Sequence, residues 1–377
     1  MKKNRVLFVS SMSILPWGGS EKLWSQAATR LATKEHDVWS SQPSISKGHP
    51  AAVELEQSGI RTTFRRPKQG RFISILNKLK PEIAGLIDQI KPELVVISQG
   101  NNKDGLDWMH YCATHEIPFA VIVQCNSELW FPLDRIRKKL KSAYAAAKAV
   151  YCVSQQNLEI LKCQLGCDLP NAQVVFNPQQ LDHEGVLGWP APSEIVRMAC
   201  VARMDPVAKG HDILAQVMAL PKWRERNVRV SLYGSGPYEE GIKDLVNFLN
   251  VKNIRFCGQV GSYQEIWAEN EILLMPSRFE GMSLALLEAM WCGRPSVVTR
   301  CGGGAMEIVD DGDSGFFAAA ATPELFDAAM ERAWQARDKW LAMGQRARDI
   351  SEERVPADPS GFFAQEIENL ITKPSFR

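Results

Sequence analysis

Two carboxylates eight residues apart, Glu280 and Glu288, bracket the stretch of this 377-residue sequence best suited to chemistry. The stretch runs Pro276-Ser277-Arg278-Phe279-Glu280-Gly281-Met282-Ser283-Leu284-Ala285-Leu286-Leu287-Glu288-Ala289-Met290. It reads as a strand end, a loop at Glu280-Gly281, and a helix opening near Ser283. The first N–H groups of a helix have no intrahelical partner, and its dipole favours an anion there. A diphosphate fits that description. If the chain between the two carboxylates is mainly helical, they stand about 12 Å apart along its axis. One then reaches a sugar and the other a ribose, with the phosphates between them. Glu288 is flanked by Leu286, Leu287, Ala289, Met290 and Trp291, and an ionised carboxylate in such a setting needs a partner. The plainer alternative is a Glu on the exposed face of an amphipathic helix.

A second constellation is Arg203-Met204-Asp205-Pro206-Val207-Ala208-Lys209-Gly210. Arg203 follows a strand, and Lys209 stands six residues on, just before a helix. Two cations on one loop can clamp a diphosphate and stabilise charge that builds on it as a group leaves. Solvated loop cations are the plainer reading. Three glycine loops add to this: Gly234-Ser235-Gly236-Pro237, Gly18-Gly19, and Cys301-Gly302-Gly303-Gly304-Ala305-Met306-Glu307. The first alone is often only a turn. The second lacks the GxGxxG spacing of a dinucleotide fingerprint, which argues against an NAD-dependent oxidoreductase. It still lets backbone approach a phosphate or sugar closely.

These residues need elements to hold them. Apolar runs at Val6–Val9, Leu94–Ile97, Phe119–Val123 and Ala149–Val153 read as strands. Helical stretches separate them: Ser20–Leu31 with Ser20 as cap, Ile83–Ile90, and Asn157–Leu165. Pro178–Pro192 lacks periodicity and reads as a linker. The alternation then restarts, with strands Val196–Val201, Val228–Tyr233, Ile254–Phe256, Ile272–Met275 and Ser296–Thr299. Helices Ile213–Ala219, Tyr238–Leu249, Leu284–Met290 and Leu325–Ala336 lie among them. Such alternation predicts an α/β fold: two Rossmann-like doubly wound domains facing across a cleft, over residues 1–180 and 190–355. A last helix over 360–377 is expected to pack back on the first. In such sheets ligands bind at the carboxyl ends of strands.

Composition narrows the classes. The net charge of +1 disfavours a nucleic-acid binder. The charge is uneven, with 23 Lys+Arg against 17 Asp+Glu over residues 1–185, and 21 against 26 beyond. That asymmetry hints that the first half meets something anionic. Nine cysteines without a CxxC pair read as buried free thiols in a reducing cytosol rather than a disulfide framework. The Met1-Lys-Lys-Asn-Arg start is not read as a signal peptide, because Ser10, Ser11 and Ser13 break the apolar run. No run of about 18 apolar residues is present. The expected location is cytoplasmic, with the option of a peripheral position at the inner face of a membrane.

Taken in order, several motifs resemble the retaining glycosyltransferases of family 4, glycosyl transferases group 1, which have the GT-B fold. They are Arg203…Lys209-Gly210, Gly234-x-Gly236-Pro237, Phe256-x-Gly258-x-Val260, Glu280-x7-Glu288, and Gly302-Gly303…Glu307. The match covers the C-terminal half and extends more weakly to Gly18-Gly19, Val153-Ser154 and Asn177. The resemblance implies a metal-independent hexosyltransferase with a UDP- or GDP-sugar as donor and no required cofactor. It implies that Arg203 and Lys209 bind the diphosphate, that Glu288 holds the ribose, and that Glu280 contacts the sugar near the reacting carbon. Gly234 belongs to the same donor set. Backbone N–H groups of Gly281, Met282, Ser283 and Leu284 receive the distal phosphate or sugar hydroxyls. Val260 lies near the base, and Gly19 approaches the phosphates from the other domain. Glu280, Arg203 and Lys209 are then the catalytic group. No Asp-x-Asp metal motif is found.

One departure stands out. Such enzymes often place a His after the strand corresponding to Phe119–Val123, and here the loop reads Gln124-Cys125-Asn126-Ser127-Glu128. Gln124 or Asn126 can hydrogen-bond a sugar, but neither can act as a base. With Trp130 they are the acceptor-side candidates. Two basic runs are candidate contacts with anionic lipid or polymer. Arg61–Lys80 carries seven cations and no acid among interleaved apolar residues, and Arg135–Lys141 carries five cations. The acceptor is expected to be a glycan, a lipid-linked molecule or a small molecule. The rival readings are a sugar-nucleotide epimerase of similar fold and a non-catalytic nucleotide-sugar-binding protein.

Overall fold

The computed structural model describes residues 3–12, 16–66, 75–179, 187–301 and 303–372. The first part of the chain alternates strand and helix: β1 (Arg5–Ser10), α1 (Gly19–Thr33), β2 (Asp37–Pro43), α2 (Pro50–Gln57), β3 (Arg61–Arg65), α3 (Ile75–Ile90) and β4 (Leu94–Gln99). It continues with α4 (Leu106–Thr114), β5 (Phe119–Val123), α5 (Asp134–Ala146), β6 (Ala149–Cys152), α6 (Gln155–Leu165) and β7 (Ala172–Val174). The seven strands form one parallel sheet in the order β3-β2-β1-β4-β5-β6-β7. β4 and β5 are buried at every position, because helices cover both faces of a parallel sheet.

The second part begins with β8 (Val196–Val201), α7 (Pro206–Lys209), α8 (His211–Met218), α9 (Pro221–Glu225), β9 (Val228–Tyr233) and α10 (Glu239–Phe248). Next come β10 (Ile254–Gly258), α11 (Tyr263–Glu269), β11 (Ile272–Met275), α12 (Leu284–Trp291) and β12 (Ser296–Thr299). It ends with α13 (Ala305–Ile308), β13 (Gly315–Ala318), α14 (Pro323–Gln335) and α15 (Trp340–Arg354). Its parallel sheet has the order β10-β9-β8-β11-β12-β13. This is the doubly wound pattern, with the order reversing between β8 and β11. The two are direct neighbours, pairing Met198 with Ile272 and Ala199 with Leu273. The expected two-sheet α/β architecture is therefore present.

The chain divides into two compact units, Met1–Pro178 with Asp358–Arg377, and Gln179–Ala357. The closing helix α16 (Pro359–Thr372) belongs to the first unit. There Phe363 is fully buried and meets the Tyr151 ring edge-on at 4.9 Å. Arg30 pairs with Asp358 at 2.8 Å, Lys34 with Glu368 at 2.7 Å, and Lys148 donates to the Leu370 carbonyl at 3.0 Å.

Several sequence expectations are corrected. Ser20 does not cap α1; the cap position is Gly18, without a side-chain bond, and Ser20 lies inside the first turn. Strands β2, β3, β7 and β13 are additional to those the apolar runs predict. In β2 the sequence Ser40-Ser41-Gln42 is buried but polar, and its side chains bond within β2 and to Thr62 and Arg65 of β3. Ser40 Oγ lies 2.9 Å from Thr62 Oγ1, and Gln42 Nε2 donates to Ser40 Oγ at 3.2 Å. The presumed linker is in part packed structure. Trp189 lies under the guanidinium of buried Arg294, which donates to the Gly188 carbonyl at 2.7 Å. Five cysteines are buried, whereas Cys163 is exposed. The basic run Arg61–Lys80 begins as strand β3, and residues 67–74 lie outside the described residues.

Candidate functional site

The second unit assembles the strongest constellation at the switch point between β8 and β11. Lys209 ends the single-turn helix α7, whose cap is Asp205, with its carboxylate accepting from the Ala208 N–H at 3.3 Å. Arg203 Nη2 donates to the same carboxylate at 2.5 Å. Gly210 follows at φ +68°, and a Cβ there would lie 2.0 Å from the Pro276 carbonyl oxygen. Only glycine lets the β8 loop press against the end of β11.

Across that contact stands Glu280, 7% exposed. Lys209 Nζ lies 2.7 Å from each of its carboxylate oxygens, and Ser277 Oγ donates to Oε1 at 2.7 Å. Thr299 Oγ1 in turn donates to the Ser277 carbonyl. Arg278 does not point its charge at this carboxylate. Its guanidinium makes two 2.7 Å bonds to Asp212 in α8 and one of 2.6 Å to the Pro206 carbonyl. It thereby ties the β11–α12 loop to the α7–α8 corner.

His211 opens α8 and is 1% exposed. Burial, reinforced by the Lys209 charge, pushes its pKa down to about 4. The imidazole is therefore neutral near pH 7, and the loop's positive charge is carried by Arg203 and Lys209.

Gly281, Met282 and Ser283 are loop, and α12 starts at Leu284 with Ser283 Oγ accepting from the Leu286 N–H at 3.4 Å. The chain from Glu280 to Glu288 is thus only half helical, and the 12 Å axial separation does not apply. Glu288 lies in the second turn of α12 and is half-buried. Backbone packs tightly behind the loop: the Gly304 N–H donates to the Gly281 carbonyl at 2.7 Å, and a Cβ on Gly303 would meet that oxygen at 2.7 Å. Gly234 has φ +125°, and a Cβ there would sit 2.1 Å from the Ala202 carbonyl, so it lets the β9 loop nest against the β8 loop. Val260 is half-buried in the turn between β10 and α11.

In the first unit, Gly19 begins α1. Gln124 and Asn126 are almost fully buried at the carboxyl end of β5. The Asn126 N–H donates to Asn157 Oδ1 at 3.2 Å, and its own Oδ1 accepts from the Ser127 N–H at 2.9 Å. Both side-chain polar atoms of Gln124 lack a hydrogen-bond partner among the described residues. Trp130 is half-buried and ends a short 3₁₀ turn. Sequence reading overlooked Ser277, Asp212 and Asp205. Asp205 and Ser277 have partners two or three residues away in sequence, at Arg203, Ala208 and Glu280, so spacing could have marked them, whereas Asp212 meets Arg278 only because the sheet brings them close.

Known proteins are similar to this chain in sequence and in fold. Residues 196–336 match the family described as "Glycosyl transferases group 1". An uncharacterised glycosyltransferase from Haemophilus influenzae is 25% identical over 91% of this chain and 94% of its own length. Anabaena HepE, solved in complex with UDP-glucose, superposes with a TM-score of 0.75 at 17% identity, covering 97% of this chain and 99% of its own. Sucrose-phosphate synthase from Thermosynechococcus elongatus gives 0.78 at 16% identity, covering 98% and 99%. The comparisons support a glycosyltransferase with the GT-B fold. The matched segment spans β8 through α14 and includes Arg203, Lys209, Glu280 and Glu288. Among the described residues no group of three His, Cys, Asp or Glu side chains could hold a metal ion. No described helix is long and apolar enough to cross a membrane.

Proposed function

We propose that the chain is a retaining hexosyltransferase. It takes its sugar from a UDP- or GDP-sugar without a metal and passes it to a glycan, lipid-linked or small-molecule acceptor. The observation that carries this reading is the Lys209–Glu280–Ser277 cluster at the carboxyl ends of β8 and β11. Diphosphates bind at such switch points, where loops and helix N-termini converge. The complexes of HepE with UDP and UDP-glucose agree with it.

In this reading Arg203 and Lys209 neutralise the diphosphate as the bond from the anomeric carbon to the phosphate oxygen breaks. The acceptor hydroxyl forms its new bond on the face the phosphate leaves, and its proton passes to the departing phosphate oxygen. Glu280 holds a sugar hydroxyl. Its two oxygens offer about four acceptor directions, and Lys209 and Ser277 occupy three of them. Glu288 receives the ribose, Val260 the base, and the N–H groups of Gly281 to Leu284 the distal phosphate. Gln124 and Asn126 supply neutral hydrogen bonds to the acceptor. A catalytic base is not required of them, because the leaving phosphate takes the proton.

The test is a panel of UDP- and GDP-sugars, assayed for nucleoside diphosphate release with and without candidate acceptors, in chelator. NMR of the product gives its anomeric configuration. Inverted product, or chelator-sensitive turnover, would sink the corresponding part of the proposal. Binding without release in any combination would leave a nucleotide-sugar-binding protein instead, and a changed free sugar nucleotide would indicate an epimerase.

A further inference from the structure

The loop from β5 to α5 exposes three large apolar side chains within five residues. Leu129, Phe131 and Leu133 are 77%, 62% and 69% exposed, while the intervening Pro132 is buried. Among the other described residues of the first unit, exposed large apolar side chains occur far apart, at Ile45, Val53 and Phe362. The spur is built rather than loose. Ser127 Oγ accepts from the Leu129 N–H at 3.3 Å, the Trp130 N–H donates to the Ser127 carbonyl at 3.0 Å, and Leu133 is the residue preceding α5. Alternate residues therefore point outward, with most of each side chain in solvent.

Helix α5 continues directly from this spur. Leu140, Ala143 and Tyr144 face the core. Arg135, Lys138, Lys139 and Lys141 are exposed. Arg137 and Lys141 are tied to the carbonyls of Leu165 and Gly166, whereas Arg135, Lys138 and Lys139 have no ion-pair partner among the described residues. The acids nearby are Glu128, and Asp134, which lies 3.5 Å from Arg137. From Glu128 to Lys141 there are five cations against two acids, so the segment is +3.

We propose that Leu129, Phe131 and Leu133, with the outward cations of α5, form a docking surface for an anionic lipid bilayer. The apolar side chains enter the interface, and the cations meet the headgroups. Protruding side chains on a spur suit a deformable lipid surface better than the complementary groove a protein partner would need. The loop lies at the carboxyl edge of the first sheet, beside Gln124 and Asn126. Docking there brings that edge to the lipid surface, which favours a lipid-linked acceptor; this last step rests on the transfer reading, and the docking itself does not.

The experiment is flotation of the full chain with phosphatidylcholine vesicles, with or without phosphatidylglycerol. It uses no donor and reads no turnover, so its failure leaves the transfer reading untouched. Flotation is expected only with phosphatidylglycerol, and it should fall several-fold as salt is raised. The R135E/K138E/K139E and L129S/F131S/L133S variants should both lose it while keeping the wild-type melting temperature. If the triple apolar variant fails to fold, Phe131→Ser alone should reduce flotation several-fold. Equal flotation with neutral vesicles, none with anionic ones, or a folded apolar variant that floats like wild type would overturn the proposal. Self-association abolished by Phe131→Ser, without flotation, would assign the surface to a second copy and overturn it too.

Discussion

Arg278 and Asp212 face each other through two parallel hydrogen bonds of 2.7 Å, one from each terminal guanidinium nitrogen. The pair joins the β11–α12 loop to the first turn of α8, which meet because β8 and β11 are neighbours in the sheet. The Arg278 N–H also donates to the Ala208 carbonyl at 2.8 Å, one residue before Lys209. Arg278 is thus placed to fix Lys209 relative to Glu280 through its bonds to Asp212 and to the Ala208 carbonyl. Arg278→Ala is expected to lower kcat/KM about tenfold through misplacement. A double-mutant cycle with Asp212→Asn should show a coupling of about 1–2 kcal/mol in kcat/KM. Additive effects would show that the pair does not act as a unit.

Lys209 and Glu288 should separate in their kinetic signatures. Lys209→Ala removes charge stabilisation of the leaving diphosphate, so kcat should fall about 100-fold or more. It also leaves buried Glu280 without its main counter-charge, so the melting temperature should fall as well. Lys209→Arg should restore part of both. Glu288→Ala is expected to weaken donor affinity with a smaller change in kcat, read by titration of the nucleotide sugar. Wild-type kinetics in either alanine variant would contradict the assigned roles.

Two glycines should respond with opposite sign. Gly210→Ala places a methyl 2.0 Å from a carbonyl oxygen at φ +68°. Left-handed backbone and overpacking each cost about 1–3 kcal/mol, so unfolding in urea should shift by about 2 kcal/mol or more. Gly241 lies inside α10 with open space around its Cβ position. Gly241→Ala should stabilise by about 0.5–1 kcal/mol, because glycine is the weaker helix former.

Stability should depend on pH through Glu21. This carboxyl in the first turn of α1 is 2% exposed, and Trp24 Nε1 donates to it at 2.6 Å. Burial pushes its pKa from 4.5 up to about 7. The unfolded chain releases this proton near pH 4.5, whereas the folded chain holds it to about pH 7. Its contribution is therefore fully present below pH 4.5 and is lost as pH rises to about 7, by up to about 3 kcal/mol. Glu21→Gln keeps a neutral acceptor for Trp24. Its stability should change less across that window, and it should melt above wild type at pH 8. Parallel wild-type and variant curves would contradict an elevated Glu21 pKa.

The return of α16 to the first unit should be energetically substantial. Phe363→Ala empties a fully buried site against Tyr151 and should cost about 3–5 kcal/mol in unfolding free energy. Loss should appear in the unfolding step of the first unit, followed by hydrogen exchange in α1 and β6.

The architecture was largely legible in the sequence because its signals are local. Apolar runs such as Leu-Val-Val-Ile at β4 and Phe-Ala-Val-Ile-Val at β5 follow from burial on both faces of a parallel sheet. The polar strand β2 was not legible, since Ser40, Ser41 and Gln42 resolve their burial through partners on β3 and within β2 itself. The site divides in the same way. By itself the sequence determined that Arg203, Lys209, Glu280 and Glu288 stand on loops and helix starts after strands, because each strand–loop–helix boundary is written in adjacent residues. Only the tertiary structure decided that Lys209 clasps Glu280, 71 residues away, with Ser277 behind it and Arg278 turned aside to Asp212. Those contacts depend on the order in which strands pair, and local periodicity carries no record of that order.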